Sequence, residues 1–164
     1  MSKRRATFVV AGLTLGCALP AAPAQAGSAR QDRVERAVVT KLNSIRSQNG
    51  LRKLRRSHGL ARAADVKAKE VARTNVLSHS SPDGTPMPAR VRRFVRARSV
   101  GEAVGYVPSH SSQAATIVSA WMNSPSHRSA LLSPSFRRIG VGRRKANLRT
   151  GRVAIFAVDL ASSR

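Results

Sequence analysis

Apolar side chains recur along this chain with two different periods. Across 31–49, Val34, Val38, Leu42 and Ile45 fall on one helical stripe with Ala37 beside it, and Asn49-Gly50 supplies a stop, so a helix is predicted there. A second helix is predicted over 60–75, with Leu60, Ala64, Ala68 and Val71 on its inner face. Ser81-Pro82-Asp83-Gly84 has turn chemistry, with Pro second and Gly fourth. A short helix over 89–94 and a strand over 99–107 follow. Next come a helix over 112–122, with Ala115, Val118 and Met122 in register, and a short helix over 125–132 stopped by Pro134. Strands are predicted over 139–144 and 151–160, joined by a polar loop through Asn147. In the last strand Val153, Ile155 and Ala157 alternate with Ala154, Phe156 and Val158, so both faces are apolar and both must be covered. The expected architecture is therefore mixed α/β (α+β). It is a three-layer α-β-α sandwich with a short, mostly antiparallel sheet between helices.

The N-terminus follows a different pattern. Lys3, Arg4 and Arg5 precede an apolar run over 6–19, and Ala24-Gln25-Ala26 fits the small-x-small cleavage rule. This predicts a secretory signal peptide over 1–26 and a single domain over 27–164, secreted or associated with the cell envelope. Leu15-Gly16-Cys17 is a poor lipidation site, so ordinary secretion is expected. Cys17 is the only cysteine; a disulfide framework and a Cys-based zinc module are excluded. No stretch after the N-terminal run is long enough to cross a membrane.

Charge adds a second theme. In 164 residues Lys plus Arg number 30 and Asp plus Glu 7, a formal net charge of +23. Apolar residues at 41% still suffice for a core, so the chain is not a disordered basic tail. The basic residues cluster at Arg52-Lys53-Arg55-Arg56, at Arg90, Arg92, Arg93, Arg96 and Arg98, at Arg137-Arg138 and at Arg143-Arg144-Lys145. These are either ordinary solvated faces or an adhesive surface for anionic envelope components, lipid headgroups and phosphate polymers among them. Aromatic residues are only 4% and no reading motif is present, which argues against sequence-specific nucleic-acid binding.

With so few carboxylates, an acidic residue inside the fold stands out. Glu102 lies in a predicted strand, His79 just before the Pro82-Asp83-Gly84 turn, and His127 within Trp121-Met122-Asn123-Ser124-Pro125-Ser126-His127-Arg128. Ser124 as N-cap and Pro125 at the first helical position make His127 the third residue of a helix. The positive helix end disfavours imidazolium there, and a neutral imidazole suits a metal ligand or general base. Spacing alone carries no metal motif. On the residues alone, His79 capping a helix or bonding Glu102, and His127 simply buried, are the preferred readings. His58 and His110 are expected to be exposed and without function, and Trp121 to pack in the core. Gly140-Val141-Gly142 lacks the third glycine of a nucleotide loop and is expected to serve close packing. No G-x-S-x-G exists, so a serine-hydrolase reading has no support.

Taken in order, several segments form a set. They are Leu42-Asn43-Ser44-Ile45-Arg46 with Gly50-Leu51, Leu77-Ser78-His79 with Pro82-Asp83-Gly84, and Gly101-Glu102. The Trp121–Arg128 string and Phe136-Arg137-Arg138-Ile139-Gly140-Val141-Gly142 complete it. The set resembles the CAP superfamily of cysteine-rich secretory, antigen 5 and pathogenesis-related 1 proteins, its SCP-like bacterial branch above all. The resemblance covers about residues 34–160 and implies the same α-β-α sandwich. It also implies one cleft holding His79, Glu102 and His127. In some members two histidines bind a divalent metal such as zinc; here those are His79 and His127, with Glu102 behind them or as a third ligand. The resemblance implies extracellular binding of lipid or envelope ligands more than catalysis. The alternatives are a metal-assisted hydrolase, with His79, Glu102 and His127 as catalytic candidates, and a basic adhesin with a vestigial cleft. Two departures stand out. The usual Gly-Glu-Asn is Gly101-Glu102-Ala103, and a second glutamate found in many members is Ser124 here, so the cleft is expected to hold one carboxylate.

Overall fold

The computed structural model describes residues 24–109, 112–149 and 151–163. The predicted signal segment up to Pro23, with Cys17, lies outside the described residues, as does His110. The elements in chain order are α1 (Ala24–Gln48), β1 (Arg55–Arg56), α2 (His58–Thr74), α3 (Met87–Arg92), β2 (Val100–Pro108), α4 (Gln113–Met122), α5 (Pro125–Leu131), β3 (Arg138–Leu148) and β4 (Gly151–Ala161). The four strands form one sheet in the order β1-β3-β4-β2. The β3–β4 and β4–β2 pairs are antiparallel, and β1 lies parallel to β3.

The three-layer sandwich is present, and β4 is its centre. Ala154, Phe156, Val158 and Leu160 face a core built with Val38 and Leu42 of α1, Ile117, Val118 and Trp121 of α4, and Leu131 of α5. Val153, Ile155 and Ala157 face the opposite way, onto Ala64, Ala68 and Val71 of α2. Trp121 is buried as expected.

Gly140 and Gly142 of β3 face α2 and let the helix backbone lie directly on the strand. A Cβ on Gly140 would stand 2.0 Å from the Ala61 nitrogen, and one on Gly142 2.4 Å from the Ala64 carbonyl carbon. The close-packing role expected of this pair is thus its role in the fold. The Ser81–Gly84 turn also forms: the Gly84 nitrogen donates to the Ser81 carbonyl at 2.9 Å, with Gly84 at φ +81°.

Two expectations need correction. The loop through Asn147 is strand: Asn147 pairs with Arg152 and Leu148 with Gly151, so the hairpin closes tightly after Leu148. Gly151 at φ +106° makes that tight return possible. The second correction is β1, for which no strand was expected. Two adjacent arginines carry no strand pattern, and they pair only because α1 and α2 deliver them to the free edge of β3.

Arg46 accounts for part of the basic excess. Its guanidinium is fully buried and donates to the carbonyls of Arg52 (3.0 Å), Leu131 (2.7 Å), Ser133 (3.1 Å) and Phe136 (3.4 Å). It therefore ties α1 to the C-terminal end of α5, where helix carbonyls lack partners of their own. Burial, and then the nearby Arg137, lower its pKa.

Candidate functional site

The site lies at the β2 edge of the sheet. Glu102 of β2 is opposite Asp159 of β4 in the ladder, and both side chains point to the face covered by α2 and α3. Both side chains are fully buried, and the Arg90 guanidinium from α3 reaches both: its Nη2 donates to Glu102 Oε2 and, at 3.4 Å, to Asp159 Oδ1. Burial, followed by repulsion from Glu102, pushes the Asp159 carboxyl up to about 8, against the pull of Arg90 and Lys67. Asp159 Oδ2 and Arg90 Nε have no hydrogen-bond partner among the described residues.

Arg90 does a third thing. Its Nη1 donates to the His79 carbonyl at 3.0 Å. Lys67 of α2, itself buried, donates to the next carbonyl, Ser80, at 2.7 Å and pairs with Glu70 at 3.2 Å. Two buried cations thus hold consecutive carbonyls of the α2–α3 loop. That aims the His79 ring at Glu102, whose Oε1 lies 2.7 Å from His79 Nδ1. Glu102 is therefore engaged through both oxygens, one by a histidine and one by an arginine. The His79 side chain itself is 58% exposed.

His127 comes from the other helical layer. Ser124 has extended backbone and occupies the N-cap of α5, with Pro125 first in the helix. The Ser124 side chain makes no cap bond; its hydroxyl instead meets that of Ser126 at 3.3 Å. The His127 ring sits 6.5 Å from that of His79, centre to centre, tilted by 57°. Burial first, and His79 second, lower the His127 pKa, with Glu102 opposing. The expected direction is found, but its causes are burial and a neighbouring histidine.

The three residues singled out from the sequence, His79, Glu102 and His127, stand together. Sequence reasoning misses Arg90 and Asp159. Along the chain Arg90 groups with Arg92, Arg93 and Arg96 as one basic face, yet it is 2% exposed and paired to carboxylates. Asp159 interrupts an apolar strand; that single break in the pattern is its only signal. The cluster accordingly holds two carboxylates, one behind the other. His58 is exposed, as expected. Among the described residues no three His, Cys, Asp or Glu side chains form a ready metal-binding group.

Comparison with known proteins decides the family. Residues 39–158 match the CAP, or cysteine-rich secretory protein, family. The chain belongs to this family. The CAP match takes in α2, α3, the whole β2 edge and α5, and thus His79, Arg90, Glu102 and His127; it ends one residue before Asp159. The chain is 31% identical over 109 residues to the uncharacterized protein YkwD of Bacillus subtilis, covering 66% of this chain and 41% of that one. Among solved structures it is similar to an extracellular SCP-domain protein of Bacillus anthracis. The TM-score there is 0.68 at 23% identity, with 81% of this chain and 41% of that one covered. It is also similar to an outer surface protein of Borrelia burgdorferi, with TM-score 0.67 at 20% identity, covering 80% and 94% of the two chains. Those two likenesses show the fold. The chain spans less than half of the YkwD and Bacillus anthracis proteins. No described helix is long and apolar enough to cross a membrane.

Proposed function

We propose that this CAP protein is secreted and binds a lipid or another envelope ligand at the His79–Glu102–His127 cleft, with a divalent metal held between the two histidines. The observation that carries the reading is the pairing of His79 Nδ1 with buried Glu102 at 2.7 Å. A carboxylate behind a histidine fixes its orientation and raises the basicity of the other ring nitrogen, which is the usual support of a metal-binding histidine. The lowered pKa of His127 keeps that ring neutral near pH 7, as ligation requires. Two imidazole nitrogens suit zinc, and Glu102 stands behind His79 because both its oxygens are occupied. When bound, such an ion supplies a Lewis acid that polarises an oxygen of the ligand. The protein's own residues do the rest. Arg90 and Lys67 hold the loop, Glu102 orients His79, and exposed Val76 and Leu77, shortly before His79 in the same loop, offer apolar surface for a lipid chain.

Elemental analysis and zinc titration of untagged protein test the metal. Lipid capture by wild type and by His79→Ala, His127→Ala protein tests the ligand. Equal zinc affinity in wild type and the double variant would refute the metal reading. Zinc-dependent turnover of an envelope substrate, lost in the double variant, would replace binding by hydrolysis.

A further inference from the structure

At the opposite edge of the sheet the fold assembles a second charged feature. Arg55, Arg56, Ser57, Arg137, Arg138 and Ser163 line one open groove of about 370 Å³. That volume is within the roughly 300–1,000 Å³ range of small-molecule sites. Two arginine pairs far apart in sequence meet there because β1 lies parallel to β3, with Arg55 opposite Arg138. The Arg55 nitrogen donates to the Arg137 carbonyl at 2.9 Å, and the Ser57 nitrogen to that of Ile139 at 2.9 Å. Three strand spacings of about 4.8 Å separate this edge from the β2 edge, so the two sites are distinct.

We infer that this groove binds a phosphate group presented on an extended envelope component. Among the described residues no carboxylate side chain lines it. The guanidiniums of Arg137 and Arg138 are instead held by neutral backbone carbonyls. Arg137 Nη1 donates to Pro134 and, at 3.1 Å, to Phe136. Arg138 Nε and Nη2 donate to the Ser162 carbonyl at 3.1 and 2.8 Å, and Nη2 also to that of Arg96 at 2.7 Å. Carbonyls fix the side chains without cancelling their charge. The orientational cost of binding is thereby reduced in advance, and N–H groups remain: Nε and Nη2 on Arg137, Nη1 on Arg138. Exposed Arg55 supplies a third fork from the facing strand. Arg56 also borders a neighbouring depression with Glu35, so the binding core is Arg55, Arg137 and Arg138. Three guanidiniums lining one groove suit a tetrahedral phosphate, with several acceptor oxygens, better than a planar carboxylate with two. The rest of the chain's excess charge attracts the same partner from a distance but fixes no position.

The test uses two probes, soluble poly(glycerol phosphate) and phosphatidylglycerol vesicles, and three variants. Arg55→Glu alters an exposed side chain in the groove. Arg149→Glu makes the same charge change at an exposed position outside it. Arg138→Lys keeps the charge but removes the fork. Arg55→Glu is expected to weaken binding roughly tenfold or more, and Arg138→Lys several-fold, with Arg149→Glu near wild type. A larger loss in Arg55→Glu than in Arg149→Glu supports the site, and binding of only the polymer, or only the vesicles, then assigns the phosphate to wall or lipid. Equal losses for Arg55→Glu and Arg149→Glu, or no binding to either probe, would overturn it. Zinc affinity at the histidine cleft should not change in Arg55→Glu, so failure of one reading is separable from failure of the other.

Discussion

Glu102 and Asp159 face each other across the β2–β4 ladder with the guanidinium of Arg90 reaching both. Two buried carboxylates share one cation there, and Lys67 acts from further off. Like charges this close, out of water, cannot both be ionised cheaply, so the proton load falls on the more enclosed partner, Asp159. The exposed chemistry of His79 rests on this pair: Glu102 holds the ring and Arg90 holds the carbonyl of the same residue.

The raised Asp159 pKa has a defined sign in stability. Between its ordinary value near 3.8 and about 8 the folded state keeps a proton that the unfolded state has released. Stability from this group is full below pH 3.8 and is lost as pH rises through 8, with a slope of up to about 1.4 kcal/mol per pH unit. Asp159→Asn should flatten that fall. Urea denaturation of both proteins from about pH 3 to 9, a span that brackets the shift, measures it. Identical slopes would show that Asp159 ionises normally.

Removing Arg90 should cost more than removing an exposed arginine. Arg90→Met leaves two buried carboxylates without their cation and frees the His79 carbonyl, with an expected loss of roughly 3–5 kcal/mol. Arg92→Met, at an exposed position on the same helix, should stay within about 0.5 kcal/mol. Adding Glu102→Gln and Asp159→Asn to Arg90→Met should recover part of the loss, because no unpaired charge then remains. Thermal denaturation reads all of these.

The metal reading predicts graded effects. His79→Ala or His127→Ala should each remove most zinc binding, and Glu102→Gln should weaken it about 10–100-fold by releasing the His79 ring. Isothermal titration separates the three. An unchanged Glu102→Gln affinity would remove Glu102 from the site's support.

Gly140→Ala tests the sandwich itself. Its Cβ would fall 2.0 Å from the α2 backbone, which cannot yield as a side-chain tip can. A destabilisation of about 3 kcal/mol or more is expected. Gly84→Ala has open space around it, and its cost should come only from the φ of +81°.

Secretion predicts a mature N-terminus at Gly27, following Ala24-Gln25-Ala26. Intact mass of protein recovered from culture medium checks this. A lipidated N-terminus at Cys17 would contradict it.

Periodicity, together with capping and helix-stopping residues, was enough for the existence of the eight described elements of five or more residues and for the layer order, because burial of a continuous stripe or an alternating face is written into neighbouring positions. The two apolar faces of β4 already required helices on both sides, and they are there. The motif residues His79, Glu102 and His127 were legible for a different reason: they sit in short segments whose order resembles the family. Other features depended on elements that are distant in sequence. Arg90 looks like Arg92 and Arg93 along the chain, and only the packing of α3 against β2 and β4 turns one of the three inward. Asp159 becomes a partner of Glu102 only through strand register. Arg55 and Arg138 meet only through a two-residue parallel ladder. Local pattern determines which side chains must be buried or exposed. Which charges then share a dielectric, and at what distance, is decided by tertiary contact, because electrostatic energy depends on separation and burial and not on position in the chain.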